Sequence, residues 1–276
     1  MRVLPVRKLR NNNGFSLTEV LFAVATLAIA MLFIAGTFPV AIYFSTIATE
    51  RTIAAVAADE AFAKIRLYAD PNDPNDDIDI DYLGVDWQTR FNDVNAFPAT
   101  LTFGLDPSEF AYPSDPGVHI SEKKYFWSAL CRRVMDPTTG PTRLVQVTVF
   151  ISRKIGEAGG YWYRNPDGSL NQGGWFYPIP IDVNVSQVGP DELSIDLLVD
   201  PVEKTFINDG YTIVDDRTGQ IYRVLERYAG VPPIDQVIKL DRPWQGGLTG
   251  LVWVVPPPVN GGRYPCIAIY QKVIRF

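Results

Sequence analysis

The chain has 276 residues, 47% of them apolar and 20% charged, with a formal net charge of −6. That length gives one or two domains and a core large enough to need no staple. The acidic balance disfavours a general electrostatic grip on DNA or RNA. A single His (His119) and two Cys (Cys131 and Cys266) leave little material for zinc sites or His-based catalysis.

Met1 to Asn13 carries Arg2, Arg7, Lys8 and Arg10 and no acid, whereas Val20 to Phe44 carries no charge at all. About 20 apolar residues in a helix cross the ~30 Å hydrocarbon layer, so this run is long enough to span. The basic flank predicts that its N-terminal end lies in the cytoplasm and that the bulk of the chain is exported. Three readings compete. A cleaved secretory signal has an apolar core of only about 7–15 residues. A plain signal anchor accounts for the length and the flank. The third reading depends on the junction Gly14-Phe15-Ser16-Leu17-Thr18-Glu19-Val20, which sets a carboxylate a few residues inside the apolar run. An acid in lipid is costly and is usually partnered and functional. A Glu19 solvated at headgroup level explains the charge, but not the Gly-Phe-Ser-Leu before it.

The basic leader ending in Gly14, then Phe15, the Ser16-Leu17 pair and Glu19 at the fifth position after the Gly, resemble the signature of type IV prepilins and type II secretion pseudopilins. The resemblance covers residues 1–68; the rest of the chain matches no motif. It implies that a membrane prepilin peptidase cuts between Gly14 and Phe15 and N-methylates Phe15. It also implies that Glu19 pairs with the N-terminal amine of a neighbouring subunit during assembly. The physics agrees: unlike charges attract strongly in apolar surroundings, and each alone is costly there. Cleavage creates the ammonium at Phe15, so processing creates the assembly partner. Four of the 25 basic residues lie in the leader, so its removal takes the formal net charge from −6 to −10.

Ser45 to Ala69 is Ala-rich, with Ile47, Ala54, Ala58, Ala61, Phe62, Ile65 and Tyr68 near helical spacing and a Glu60–Lys64 pair at i,i+4. Asp70-Pro71 ends the pattern. The expectation is one helix over about 15–69, its membrane half at about 20–44 and its amphipathic half packed on a head, as in the family. Gly36 and Pro39 interrupt the apolar run. They read either as a tolerated membrane kink or as a segment that loosens when the subunit leaves the bilayer for a filament.

From Pro71 the chain is acidic and turn-rich, with five Asp within nine residues. Asp77, Asp79 and Asp81 are weak calcium candidates, because no Gly or closing Glu follows at the EF-hand positions; a solvated loop is the competing reading. Arg143 to Arg153 alternates, with Val145, Val147, Val149 and Ile151 on one face and Leu144, Gln146 and Thr148 on the other, as in a half-buried antiparallel strand. Tyr161-Trp162-Tyr163 and Trp175-Phe176-Tyr177 read as an aromatic hairpin, and Thr212 to Val224 as another. Further strands fall at Val237–Leu240, Leu251–Val255 and Cys266–Ile274. The fold class expected is α+β, a long N-terminal helix on a predominantly antiparallel β head over 70–276, with an additional β subdomain from about Asp182. Cys131 and Cys266 both lie in the exported part, where a disulfide is permitted.

The function expected is that of a structural subunit, of minor type because a bulky head at every position crowds a filament. It belongs to a type IV pilus or a type II secretion pseudopilus. Its partners are other pilin or pseudopilin subunits, the prepilin peptidase, an inner-membrane assembly platform and, before assembly, membrane lipid. No cofactor is expected. The alternative is a membrane-tethered binding module that never polymerises and uses the aromatic cluster as a ligand surface. An exported enzyme has no motif to support it, and His119 has no triad partner. A basic strip of Lys123-Lys124 with Arg132-Arg133 is the one feature that suits nucleic acid.

Overall fold

The computed structural model describes residues 14–68, 95–97, 110–115, 117–119, 122–136, 140–154, 160–164, 169–175, 178–195, 201–229 and 236–275. The candidate ligands Asp77, Asp79 and Asp81 lie outside them. The class is α+β: one long N-terminal helix and a mostly antiparallel β region. The chain divides into two compact units, Met1–Glu50 and Arg51–Phe276.

Helix α1 spans Leu17–Tyr68. In the first unit its side chains are apolar and exposed, Phe22, Leu32 and Phe38 among them. Hydroxyls in this stretch are satisfied locally. Thr26 Oγ1 donates to the Phe22 carbonyl at 3.0 Å and Thr37 Oγ1 to that of Ile34 at 3.1 Å. Such back-bonding lets Thr sit in an apolar helix without an orphaned donor. The helix runs unbroken through Gly36 and Pro39, although Pro39 has no N–H to offer the Ala35 carbonyl.

In the second unit α1 buries Ala54, Ala57, Ala58, Ala61, Phe62 and Ile65, one stripe at three- and four-residue spacing. Four of these are Ala, so the helix backbone lies close on its neighbour. That neighbour is a five-stranded antiparallel sheet. Its strands are β1 (Asn95–Phe97), β2 (Ala111–Tyr112), β3 (Tyr125–Asp136), β4 (Gly140–Arg153) and, from the far end of the chain, Cys266–Arg275. Val145, Val147, Val149 and Ile151 of β4 meet the Ala stripe in one core. Lys272 clamps the pair, with Nζ 2.7 Å from Asp59 and 4.5 Å from the Phe62 ring centroid. Replacing Ala61 by Leu lifts the helix off the sheet and costs about 1–3 kcal/mol in urea unfolding; an unchanged midpoint contradicts this close approach.

Two strands, β5 (Tyr161–Arg164) and β6 (Leu170–Trp175), form the aromatic hairpin, with Tyr161 opposite Trp175. Six more then close a barrel: β7 (Ile181–Gly189), β8 (Glu192–Ile195), β9 (Thr212–Asp215), β10 (Ile221–Tyr228), β11 (Val237–Leu240) and β12 (Thr249–Val254). Around the ring the order is β10-β11-β8-β7-β12-β9. Its first and last residues are register partners, Ile181 opposite Val254. The barrel is therefore an insertion, and the last strand, β13 (Cys266–Arg275), returns to the sheet beside β4. A subdomain running from about Asp182 to the end of the chain does not describe this return.

The barrel changes one expectation for β4. The second face of that strand is not solvated along its length: Thr148, Phe150 and Ser152 are buried. Phe150 and Leu130 pack with Val214, Val255 and Cys266, and with Ile221 and Trp253 of the barrel. The layers of this unit are thus helix, sheet and barrel in that order.

Candidate functional site: the apolar helix, its acid and the head behind it

Gly14, Phe15 and Ser16 precede the first helical turn, and Phe15 is 82% exposed. The Ser16 carbonyl accepts from the Glu19 and Val20 amides at 2.9 and 3.2 Å, which places Glu19 in the first turn of α1. An acid there meets the positive end of the helix dipole. The spacing Ser16-x-x-Glu19 is also that of a capping box, a signal the motif reading above does not use. Ser16 Oγ lies 2.6 Å from Thr18 Oγ1. From this point to Phe44 the helix surface is apolar. Among the described residues, α1 is the one helix long and apolar enough to cross a membrane.

The head resolves the other candidates. Cys131 and Cys266 are free and buried, so the disulfide that the compartment permits is not formed. Cys131 sits opposite Val147 and Cys266 opposite Ser152, on either side of β4. Five residues along a strand is about 17 Å, whereas a disulfide needs Cα atoms roughly 4.4–6.8 Å apart. The two thiols also lie in different cores, one against the helix and one against the barrel. Burial pushes the Cys131 thiol far up and that of Cys266 to about 12, so neither is a reactive nucleophile.

The basic strip is not available as a strip. Lys123 is buried and Arg132 is turned into the sheet–barrel joint, while the Arg133 side chain lies outside the description. His119 is exposed. In the aromatic hairpin, Tyr161 and Trp162 are buried, Trp162 against Phe206 with ring centroids 5.6 Å apart. Arg164 fastens the hairpin to the barrel through Asp182 at 2.7 Å and Glu203 at 3.2 Å. These aromatics are core at this point, which removes two members of the ligand surface considered above. Among the described residues no group of His, Cys, Asp or Glu is placed to hold a metal. Ser114, Lys64 and Glu60 meet, with Lys64 Nζ 2.5 Å from Ser114 Oγ and 3.3 Å from Glu60. An ammonium held between a carboxylate and a hydroxyl is a donor and not a base, so this cluster ties the helix to the segment after β2.

The joint between sheet and barrel is polar, and sequence reading missed it. The β9–β10 turn, 215–220, presents a row of backbone carbonyls to the sheet. Arg132 of β3 donates to Thr218 O at 2.6 Å and to the carbonyls of Asp216 and Arg217, and also holds Gln146 of β4. Gln271 of β13 donates to Gly219 O at 2.8 Å. Gly219 has φ +70°, and a Cβ there would strike the Gln146 amide at 2.6 Å, so the turn needs Gly for both conformation and approach. Asp215 closes the turn from within, accepting from the Thr218 amide at 3.0 Å. Asp216 accepts from Trp253 Nε1 at 2.7 Å.

Burial holds the Asp216 carboxyl above its ordinary value, against the opposing pull of the Trp253 hydrogen bond. Its folded pKa exceeds its unfolded one, so ionisation at neutral pH works against folding. That penalty fades as pH falls towards and below the folded pKa. Asp216→Asn keeps an oxygen for Trp253 and carries no charge. Urea unfolding at pH 7 and pH 4.5 therefore shows the Asn variant gaining relative to wild type at pH 7, with the gain shrinking at the lower pH. A difference independent of pH contradicts this.

No protein-family model, curated protein or solved structure matches the chain.

Proposed function

We propose that the chain is a subunit of a type IV pilus or a type II secretion pseudopilus. It is made as a prepilin in the inner membrane, cut after Gly14, N-methylated on Phe15 and assembled through α1. The observation that carries this reading is the sequence Gly14-Phe15-Ser16-Leu17-Thr18-Glu19 at the foot of a charge-free helix whose large apolar side chains are exposed over 20–44. Such a surface needs lipid before assembly and other helices after it. Within it Glu19 needs an ammonium, and the cut supplies one on each neighbouring subunit. Gly36 and Pro39 then mark where the helix loosens on leaving the bilayer. Partners are other subunits of the same class, the peptidase and the assembly platform.

Co-expression with an active prepilin peptidase shortens the chain by the segment Met1–Gly14 on intact-mass analysis; a catalytically dead peptidase leaves it whole. A chain left uncut by the active peptidase overturns the reading.

A further inference from the structure

The second unit is layered, and the layers assign sides. One face of β4 meets α1 through Val145, Val147, Val149 and Ile151, and the other meets the barrel through Phe150. The barrel is thus separated from the helix by the thickness of a sheet. Its strands against the sheet are β9 and β12, which supply Val214 and Trp253, together with the start of β10 at Ile221. In the six-membered ring, β8 and β11 stand opposite β9 and β12. Strands β8 and β11 are therefore furthest from the sheet, and Lys239 on β11 has its side chain 44% exposed there. On the helix layer, Val56 points away from the buried Ala stripe and is 52% exposed. It belongs to the same helix as the apolar run over 20–44.

From this order we infer that in an assembled fibre the inserted barrel is the outermost layer, presented to the surroundings by β8 and β11. The α1 face carrying Val56 is covered by apolar helices of neighbouring subunits. The inference rests on the fibre-subunit reading above. The helix layer is the one covalently continuous with the surface that needs other helices, so a bundle forms on that side. The barrel is a closed ring and has no strand edge to offer a neighbour. It extends the head away from the bundle, so its bulk does not by itself limit the protein to a fibre tip. The joint at 215–220 fixes it there through three sheet strands.

The two native thiols are buried and unreactive, so introduced cysteines report alone. Lys239→Cys and Val56→Cys proteins are treated with a maleimide–polyethylene glycol, once in intact sheared fibres and once as detergent-solubilised full-length subunits. Lys239→Cys labels to the same extent in both states. Val56→Cys labels in detergent and falls about tenfold or more in fibres, the loss expected when an exposed site is buried with a free energy above about 1.4 kcal/mol. Protection of Lys239→Cys in fibres, or full labelling of Val56→Cys there, overturns the inference and leaves the fibre-subunit reading intact. Absence of both proteins from the fibre fraction overturns that reading itself.

Discussion

Replacing Glu19 by Ala leaves export of the head intact and lowers the protein in the sheared fibre fraction by at least about tenfold, which corresponds to losing roughly 1.4 kcal/mol of assembly free energy. The expectation follows from the asymmetry of paired charge in apolar surroundings. Removing one partner strands the other, and a buried ammonium without its carboxylate costs about 3–5 kcal/mol. Glu19 has a competing local role, since an acid in the first turn of α1 stabilises that helix end. Glu19→Gln separates the two, because Gln serves a capping box as Glu does but carries no charge. If pairing with the amine is the function, both variants leave the fibre. If only the helix end matters, the Gln variant stays in it.

A second large effect is expected in the head. Gly246 lies where a Cβ would press on the Trp244 ring and come within 2.6 Å of Asp215 Oδ1. Trp244 cannot yield easily. It is buried, its Nε1 donates to Gly247 O at 2.7 Å, and its ring lies 5.1 Å from that of Tyr222 in the barrel core. Asp215 is equally held, since it organises the 215–220 turn. Gly246→Ala therefore costs about 3 kcal/mol, at the upper end of overpacking effects. For a chain of this size that lowers the melting temperature by roughly 10 °C. Circular dichroism of the purified protein reads this directly, and a melting temperature within about a degree of wild type shows that the Trp244 corner is looser than its contacts imply.

How much of this was legible in the sequence depends on whether the signal is local. The helix was legible because Ala54, Ala58, Ala61, Phe62 and Ile65 share a stripe; Ala57, between them, joins it in the structure. The helix-facing side of β4 was legible because Val145, Val147, Val149 and Ile151 alternate. Its other side was not. Thr148 and Ser152 look like solvent residues, and only the barrel, built from residues some 30 to 100 positions later, buries them. The hairpin at 212–224 was legible from its turn residues and forms as β9 and β10. Barrel closure rests on the β9–β12 and β8–β11 pairings, which no short window contains. The Arg132 clamp was invisible for another reason: its acceptors are main-chain carbonyls, which have no residue-type signature. At the N-terminus, by contrast, Gly14, Phe15 and Glu19 are contiguous with the run they serve, and their pattern can be read without any tertiary structure.

The account turns on one covalent event that sets up one charge pair. Protein recovered from purified fibres and digested for mass spectrometry should yield an N-terminal peptide that begins at N-methylated Phe15. A fibre population whose N-terminal peptide still begins at Met1, with Arg2, Arg7, Lys8 and Arg10 attached, contradicts it.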